Sequence, residues 1–185
     1  TRKLELILQQ TQRLHSVIQN VRRATRLPEA HFEALTVPDI LQESLPLIEP
    51  LISKAGIHLD LQIEPSLPVI YVDRYRFQTA LLNLIQNSVE AMPAGGRILI
   101  SAQKDEAGQS IALAVGDSGR GIPPELIEKV CQPFFSTHTD EGMRGLGLAI
   151  VQDIVKIHNG RVKIDSPPGG GTTVTLFFPD SRREE

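Results

Sequence analysis

The 185-residue chain has a single cysteine, Cys131, so no internal disulfide is possible, and a reducing cytosol is the compartment this suits. No apolar run approaches ~18 residues, which excludes a transmembrane helix and predicts no membrane contact by this stretch. The opening Thr1-Arg2-Lys3-Leu4 lacks the apolar stretch of a signal peptide. No initiator methionine precedes it, so a piece of a longer protein is expected, with a membrane anchor elsewhere in the parent left open. Two phosphate-binding signatures are also missing. There is no G-x-x-x-x-G-K-[ST]. Neither the Gly119/Gly121 pair nor the Gly145/Gly147 pair is followed by the third glycine of G-x-G-x-x-G. A P-loop, a dinucleotide fold and a protein-kinase glycine loop are therefore disfavoured.

What is present is ordinary in bulk and uneven in detail. Apolar content of 41% and this length fit one globular domain plus an appendage. Residues 1–27 hold Arg2, Lys3, Arg13, Arg22, Arg23 and Arg26 against Glu5 alone, although the net charge of the chain is −3. The body is thus acidic and would be repelled by nucleic-acid phosphates, so no nucleic acid partner is expected. The basic stretch is either a solvated helix face or a docking surface for an acidic partner.

Leu4, Ile7, Thr11, Leu14, Ile18, Val21 and Thr25 repeat at spacings of three and four, the seam of a bundle or coiled-coil helix that must pair with another helix. A homodimer through residues 4–25 follows as an expectation. Pro28 ends this helix, and a boundary near 27–31 divides the chain into segments 1–27 and 32–180. In the second segment a short strand at 32–36 precedes a helix from Pro38 to about Ala55, where Pro46 and Pro50 should kink or break it. Alternation predicts a strand at 57–63, with another at 69–72. Asp73 caps a long helix to about Met92 with Phe77, Leu81, Leu84, Ile85 and Val89 as its stripe. Strands at 97–103 and 110–116, a short helix from Pro123 to Val130, a helix from Leu146 to His158 and strands at 161–165 and 172–178 complete the pattern. The class is α+β: a two-layer sandwich with one mixed, mostly antiparallel sheet covered on one face by three helices, preceded by one long helix.

The chemistry-bearing residues form two glycine clusters, Asp117-Ser118-Gly119-Arg120-Gly121-Ile122 and Gly142-Met143-Arg144-Gly145-Leu146-Gly147-Leu148, with Asn83-Leu84-Ile85-Gln86-Asn87 upstream. Glycines let backbone approach phosphates closely. Asparagines one turn apart share a helix face and offer oxygens to a hard cation. Asp117 alone would read as a turn-starting residue. His31, His58 and His158 stand at no metal or triad spacing and are expected to be structural. Cys131 is expected to be a small core residue.

In order along residues 32–178, five blocks resemble the catalytic, ATP-binding domain of bacterial sensor histidine kinases, in the wider GHKL (Bergerat-fold) superfamily. They are the N box from Asn83 to Ala91, the G1 box from Asp117 to Ile122, the F box at Pro133-Phe134-Phe135-Ser136-Thr137, the G2 box from Gly142 to Leu148 and the closing Gly169-Gly170-Gly171-Thr172-Thr173. The resemblance implies that ATP and Mg2+ are the cofactors. Asp117 would accept the adenine amine, where guanine would present an unpaired carbonyl. Asn87 would be the magnesium ligand, with Asn83 on the same face. Gly119, Gly121 and Ile122 would pass over the adenine, and Thr173 or Thr172 would reach it through water. Residues 134–144 would form the ATP lid, with Arg144 toward the γ-phosphate. Gly145, Leu146, Gly147 and Leu148 would bring a helix N-terminus to the phosphates. His138 stands where the family often has lysine.

Asn83 occupies the place of a water-activating glutamate in gyrase-like relatives, and an amide is no general base. The resemblance therefore implies phosphoryl transfer to a protein histidine, and from there to a response regulator receiver domain. Residues 1–27 resemble the second helix of the dimerisation hairpin. His15 lacks the acceptor motif, so the phosphoacceptor helix of the same protein is expected outside this chain. A serine kinase of the anti-sigma type and an ATP-driven conformational switch share the pocket and stand as alternatives.

Overall fold

The computed structural model describes residues 30–131 and 145–180. The seam of residues 4–25, His15, the whole lid of residues 134–144 with His138 and Arg144, and the F box lie outside the described residues.

Strands β2 (Ile57–Ile63), β4 (Gly96–Lys104), β5 (Ser110–Asp117), β6 (Arg161–Asp165) and β7 (Thr172–Pro179) form a five-stranded sheet in the order β2-β4-β5-β7-β6. Only the β2–β4 pair is parallel. β1 (Phe32–Leu35) and β3 (Ile70–Asp73) do not join that sheet but pair with each other as an antiparallel ribbon. Helices α1 (Val37–Lys54), α2 (Arg74–Ala91) and α3 (Gly147–Ile157) cover one face. The α+β sandwich with a mostly antiparallel sheet and three helices is thus as expected from the pattern.

Period-2 alternation sends Ile98, Ile100, Ile111, Leu113, Val115, Val174, Leu176 and Phe178 toward the helices, where they meet Phe77, Leu81, Leu84 and Ile85 of α2. Each is essentially sealed from water, and a large apolar side chain so buried stabilises the fold by roughly 1.5–3 kcal/mol. The opposite face carries Ser101, Ala114 and Thr175 in one register row, with Arg161 stacked 3.9 Å over the Phe177 ring. Apart from Leu99 and Phe177, the residues of β4, β5 and β7 on this side are small or polar.

α1 starts where Thr36 accepts the Asp39 N–H at 3.2 Å, with Pro38 in the first turn where its missing donor costs nothing. The helix then continues past Pro46 and Pro50, so of the expected kink or break the break does not occur. Both prolines are exposed, so the carbonyls left without partners one turn earlier face water. Two shorter elements also differ. The Pro123–Val130 helix is one 3-10 turn, Pro124–Leu126, followed by hydrogen-bonded turns. Cys131 is half-buried rather than a core residue; burial pushes its thiol up, opposed by a hydrogen bond with Gln152. Among the described residues no helix is long and apolar enough to cross a membrane.

At the end of the domain remote from the glycine clusters, His158 is a structural residue, as expected. It is 4% exposed; its Nε2 accepts the Asp73 N–H at 2.9 Å and its Nδ1 donates to the Ile154 carbonyl at 2.6 Å. Its ring packs edge-on against Phe32 and Phe178. Arg74 ties the same end together by ion pairs to Glu33 of β1 and Glu43 of α1.

Candidate functional site

α2 and α3 pack side by side above the β5–β7 end of the sheet, and between them opens a cleft of about 460 Å³. Its floor is apolar, from Leu84, Val115 and Val174, and its walls are polar, from Asn87, Asp117 and Thr172. A flat heterocycle suits such a floor, and the volume falls in the usual range for small-molecule sites.

Asp117 ends β5 at the cleft. Its Oδ1 accepts the Gly119 N–H at 2.9 Å and the Thr172 N–H at 3.2 Å; its Oδ2 accepts the Ser88 hydroxyl at 3.2 Å. Burial nonetheless pushes the carboxyl above the ordinary carboxylate range, because those three hydrogen bonds only partly offset lost hydration. No cation faces it among the pairs formed by the described residues. A carboxylate has about four acceptor positions, of which three are taken, so it retains capacity for one further donor from the cleft.

Two glycines of the surrounding loops are dictated by space. A Cβ on Gly119 would lie 2.7 Å from the Ala91 Cβ and 2.8 Å from Asp117 Oδ1. A Cβ on Gly171 would overlap the Asp117 carbonyl oxygen outright. Both loops are thereby drawn tight around Asp117. Ser166 clamps them to each other: its hydroxyl accepts the Ile122 N–H at 2.7 Å and donates to the Gly171 carbonyl at 3.0 Å. Gly121 and Ile122 line the cleft beyond this clamp.

The asparagine pair stands at the opposite side. Asn83 donates its amide hydrogen to the Thr79 carbonyl at 2.8 Å, which turns its Oδ1 away from the helix backbone. A Cβ on Gly147, in the first turn of α3, would meet Asn87 Oδ1 at 3.1 Å and Asn83 Oδ1 at 3.3 Å. Both amide oxygens therefore converge on the N-terminal end of α3, and the glycine keeps the space between them clear. Asn87, Gly145, Gly147 and Leu148 line the cleft. Leu146 is the residue before the helix, with its carbonyl accepting the Ile150 N–H at 2.9 Å.

Of the two threonines that the sequence leaves open, the structure brings one to the cleft. Thr172, not Thr173, lines the cleft, buried with its hydroxyl 3.3 Å from Ser166 Oγ. Thr173 faces away from the cleft, its Oγ1 3.1 Å from where a Cβ on Gly116 would lie. Ser88 and Ser166 are not residues that the sequence pattern picks out, yet each touches the machinery. Ser88, next to Asn87, has a signal in its helical position facing β5; Ser166 has none beyond its place in the β6–β7 connection.

Comparison with known proteins agrees with this geometry. Residues 72–182 match the family described as histidine kinase-, DNA gyrase B-, and HSP90-like ATPase. The chain is 30% identical over 181 residues to the sensor histidine kinase ZraS of Salmonella typhi, covering 98% of this chain and 38% of that protein. It thus spans well under half the length of that curated relative. The catalytic domain of the histidine kinase ThkA superposes with a TM-score of 0.71 at 29% identity, over 81% of this chain and 98% of that domain. Full-length ShkA, solved in complex with AMPPNP, gives 0.77 at 27% identity over 90% of this chain and 36% of that protein.

Proposed function

We propose, since the chain belongs to the family of histidine kinase-, DNA gyrase B- and HSP90-like ATPases, that it is the nucleotide-binding catalytic part of a sensor histidine kinase. It would transfer the γ-phosphoryl group of Mg-ATP to a histidine on a dimerisation helix of the same protein, for relay to an aspartate of a response regulator. The observation that carries this is the half-buried Asp117, held by three donors and facing the cleft with acceptor capacity to spare.

In this reading the adenine lies over Leu84, Val115 and Val174 with its exocyclic amine donating to Asp117. Gly119, Gly121 and Ile122 wrap it, and Thr172, of the two threonines, is the one that would reach it. Asn87, with Asn83 beside it, fits a cation: its oxygen is a hard, neutral donor suited to an ion that shares its shell with phosphates and water. The converging amide oxygens and the clear space at Gly147 are the features that match. When bound, Mg2+ would neutralise charge on the phosphates. The free N–H groups of α3 from Gly147 point the helix dipole at the same place, and Arg144 of the lid would add a cation at the γ-phosphate. Asn83 carries no titratable proton and cannot activate water, so positioning and charge neutralisation carry the transfer, with little hydrolysis. Residues 4–25 would pair two copies of the chain.

Calorimetric titration tests the first half. Mg-ATP should bind, and GTP should bind at least about tenfold more weakly, because a guanine carbonyl opposite Asp117 leaves two acceptors unpaired at roughly 1–3 kcal/mol. Equal affinity for the two bases would refute the reading. Incubation with ATP and a phosphoacceptor hairpin in trans tests the second half. An acid-labile phosphohistidine is expected; acid-stable phosphoserine would reassign the chain to a serine kinase, and steady phosphate release to a conformational switch.

A further inference from the structure

Glu90 stands one helical turn beyond Asn87 on α2 and lines the same cleft. Its side chain is exposed, and among the described residues no hydrogen bond or ion pair reaches its carboxylate. Asn83, Asn87 and Glu90 follow one another at spacings of four and three, so they share one face of the helix. A carboxylate is a poor choice for the wall of a site that admits a polyphosphate: at cleft distances like charges repel, and more strongly where water is excluded. The placement becomes favourable when a cation stands between the two anions. Carboxylate oxygens are the preferred protein ligands of Mg2+, which keeps several of its waters and is held through them as well as directly. Asn87 contributes no charge to this, and Glu90 would contribute one.

We infer that Glu90 is a cation-positioning residue, which holds a water of the Mg2+ shell beside Asn87 and makes the cleft select metal-loaded over metal-free ATP. This rests on the nucleotide reading given above. The rival account is that Arg120, which lines the same cleft and whose N–H bonds the Ala91 carbonyl at 3.3 Å, neutralises Glu90 without any metal. The two accounts differ in what removal of the charge does to metal dependence.

The test measures ATP affinity by calorimetry in excess Mg2+ and again in excess EDTA, for the unaltered chain, Glu90→Gln and Glu90→Lys. Melting temperatures are recorded alongside, and they should not move, because the side chain is exposed. Glu90→Gln should bind Mg-ATP about tenfold more weakly and metal-free ATP no less tightly than the unaltered chain, so the ratio of the two affinities falls. Glu90→Lys should bind metal-free ATP more tightly still and depend least on the metal. A ratio unchanged by Glu90→Gln, or equal losses with and without metal, would overturn the inference while leaving the nucleotide reading intact. No binding by the unaltered chain under either condition would overturn both.

Discussion

Two aspartates close two strands of this fold and are held in nearly the same way, yet their surroundings push them in opposite directions. Asp73 ends β3 and caps α2; it accepts the Arg76 N–H at 3.0 Å and the His31 N–H at 2.9 Å. Asp117 ends β5 and also accepts two backbone N–H groups, from Gly119 and Thr172. Burial raises both. At Asp73 it is outweighed by the two backbone donors and by the Arg76 guanidinium, whose Nε lies 3.4 Å away, and the carboxyl sits below its ordinary range. At Asp117 no guanidinium among the described residues answers the charge, and burial prevails. The lesson is that backbone hydrogen bonds alone do not distinguish a structural carboxylate from a binding one. The countercharge does: Asp73 is complete within the fold, and Asp117 is completed from outside it.

Exchanging the charge for an amide at each site should therefore separate binding from stability. The largest effect is expected for Asp117→Asn, which turns an acceptor facing the adenine amine into a group that also presents donors. ATP affinity should fall by at least about 100-fold, since a hydrogen bond to a charged group contributes roughly 1.5–3 kcal/mol and the mismatch adds to it. Calorimetry checks this, and retained affinity would break the comparison. Next in size, Asp73→Asn keeps a serviceable cap but leaves Arg76, 8% exposed, without its carboxylate. A loss near 2 kcal/mol is expected, or roughly 4–8 °C in melting temperature, with ATP affinity of the folded protein unchanged.

The same contrast shows what could be seen in the sequence. Asp117, Asn87 and the two loop pairs of glycines were legible because close backbone approach admits only glycine and because helical spacing fixes which asparagines share a face. The order of elements followed from periodicity and caps, with Asp73 legible as a cap at once. Parity was not legible: a shift of one residue in β7 exchanges the cleft face for the opposite one, and nothing in Thr172-Thr173 says which is which. Ser166 was illegible because it meets Ile122 across 44 positions of sequence, through the pairing of β7 with β5 and β6. The prolines of α1 misled because their cost depends on whether the orphaned carbonyls reach water, which periodicity does not report.

A third, smaller effect concerns pH. His158 is buried as the neutral ring, bonded at both nitrogens, and desolvation holds it below its ordinary 6.5. A folded value below the unfolded one means that the unfolded chain takes up the proton first as pH falls. The stabilising contribution is thus complete above about pH 6.5 and is lost on acidification through the folded value. The melting temperature should drop between pH 7.5 and 5.5, and His158→Gln, which can still accept from Asp73 and donate to Ile154, should flatten that slope.

The smallest effect is also the one that bears most directly on the two aspartates. In the nucleotide-free protein the folded carboxyl of Asp117 is raised above its ordinary 3.8. For such a group the favourable contribution is complete below the unfolded value and disappears as pH climbs through the folded one, so at neutral pH its charge burdens the empty fold. Asp117→Asn removes that burden while the amide oxygen can still accept from Gly119 and Thr172. The variant that loses ATP should therefore melt at the same temperature as the parent or slightly higher at pH 7, with the gain shrinking toward pH 4. Asp73→Asn should behave in reverse: its lowered carboxyl contributes stability above 3.8, so the deficit is full at pH 7 and closes in acid. Thermal melts of both variants across that range, without nucleotide, decide the matter. If Asp117→Asn costs more than about 1 kcal/mol at pH 7, the net worth of a hydrogen bond, its carboxylate is as structural as Asp73, and the distinction drawn from the missing countercharge fails.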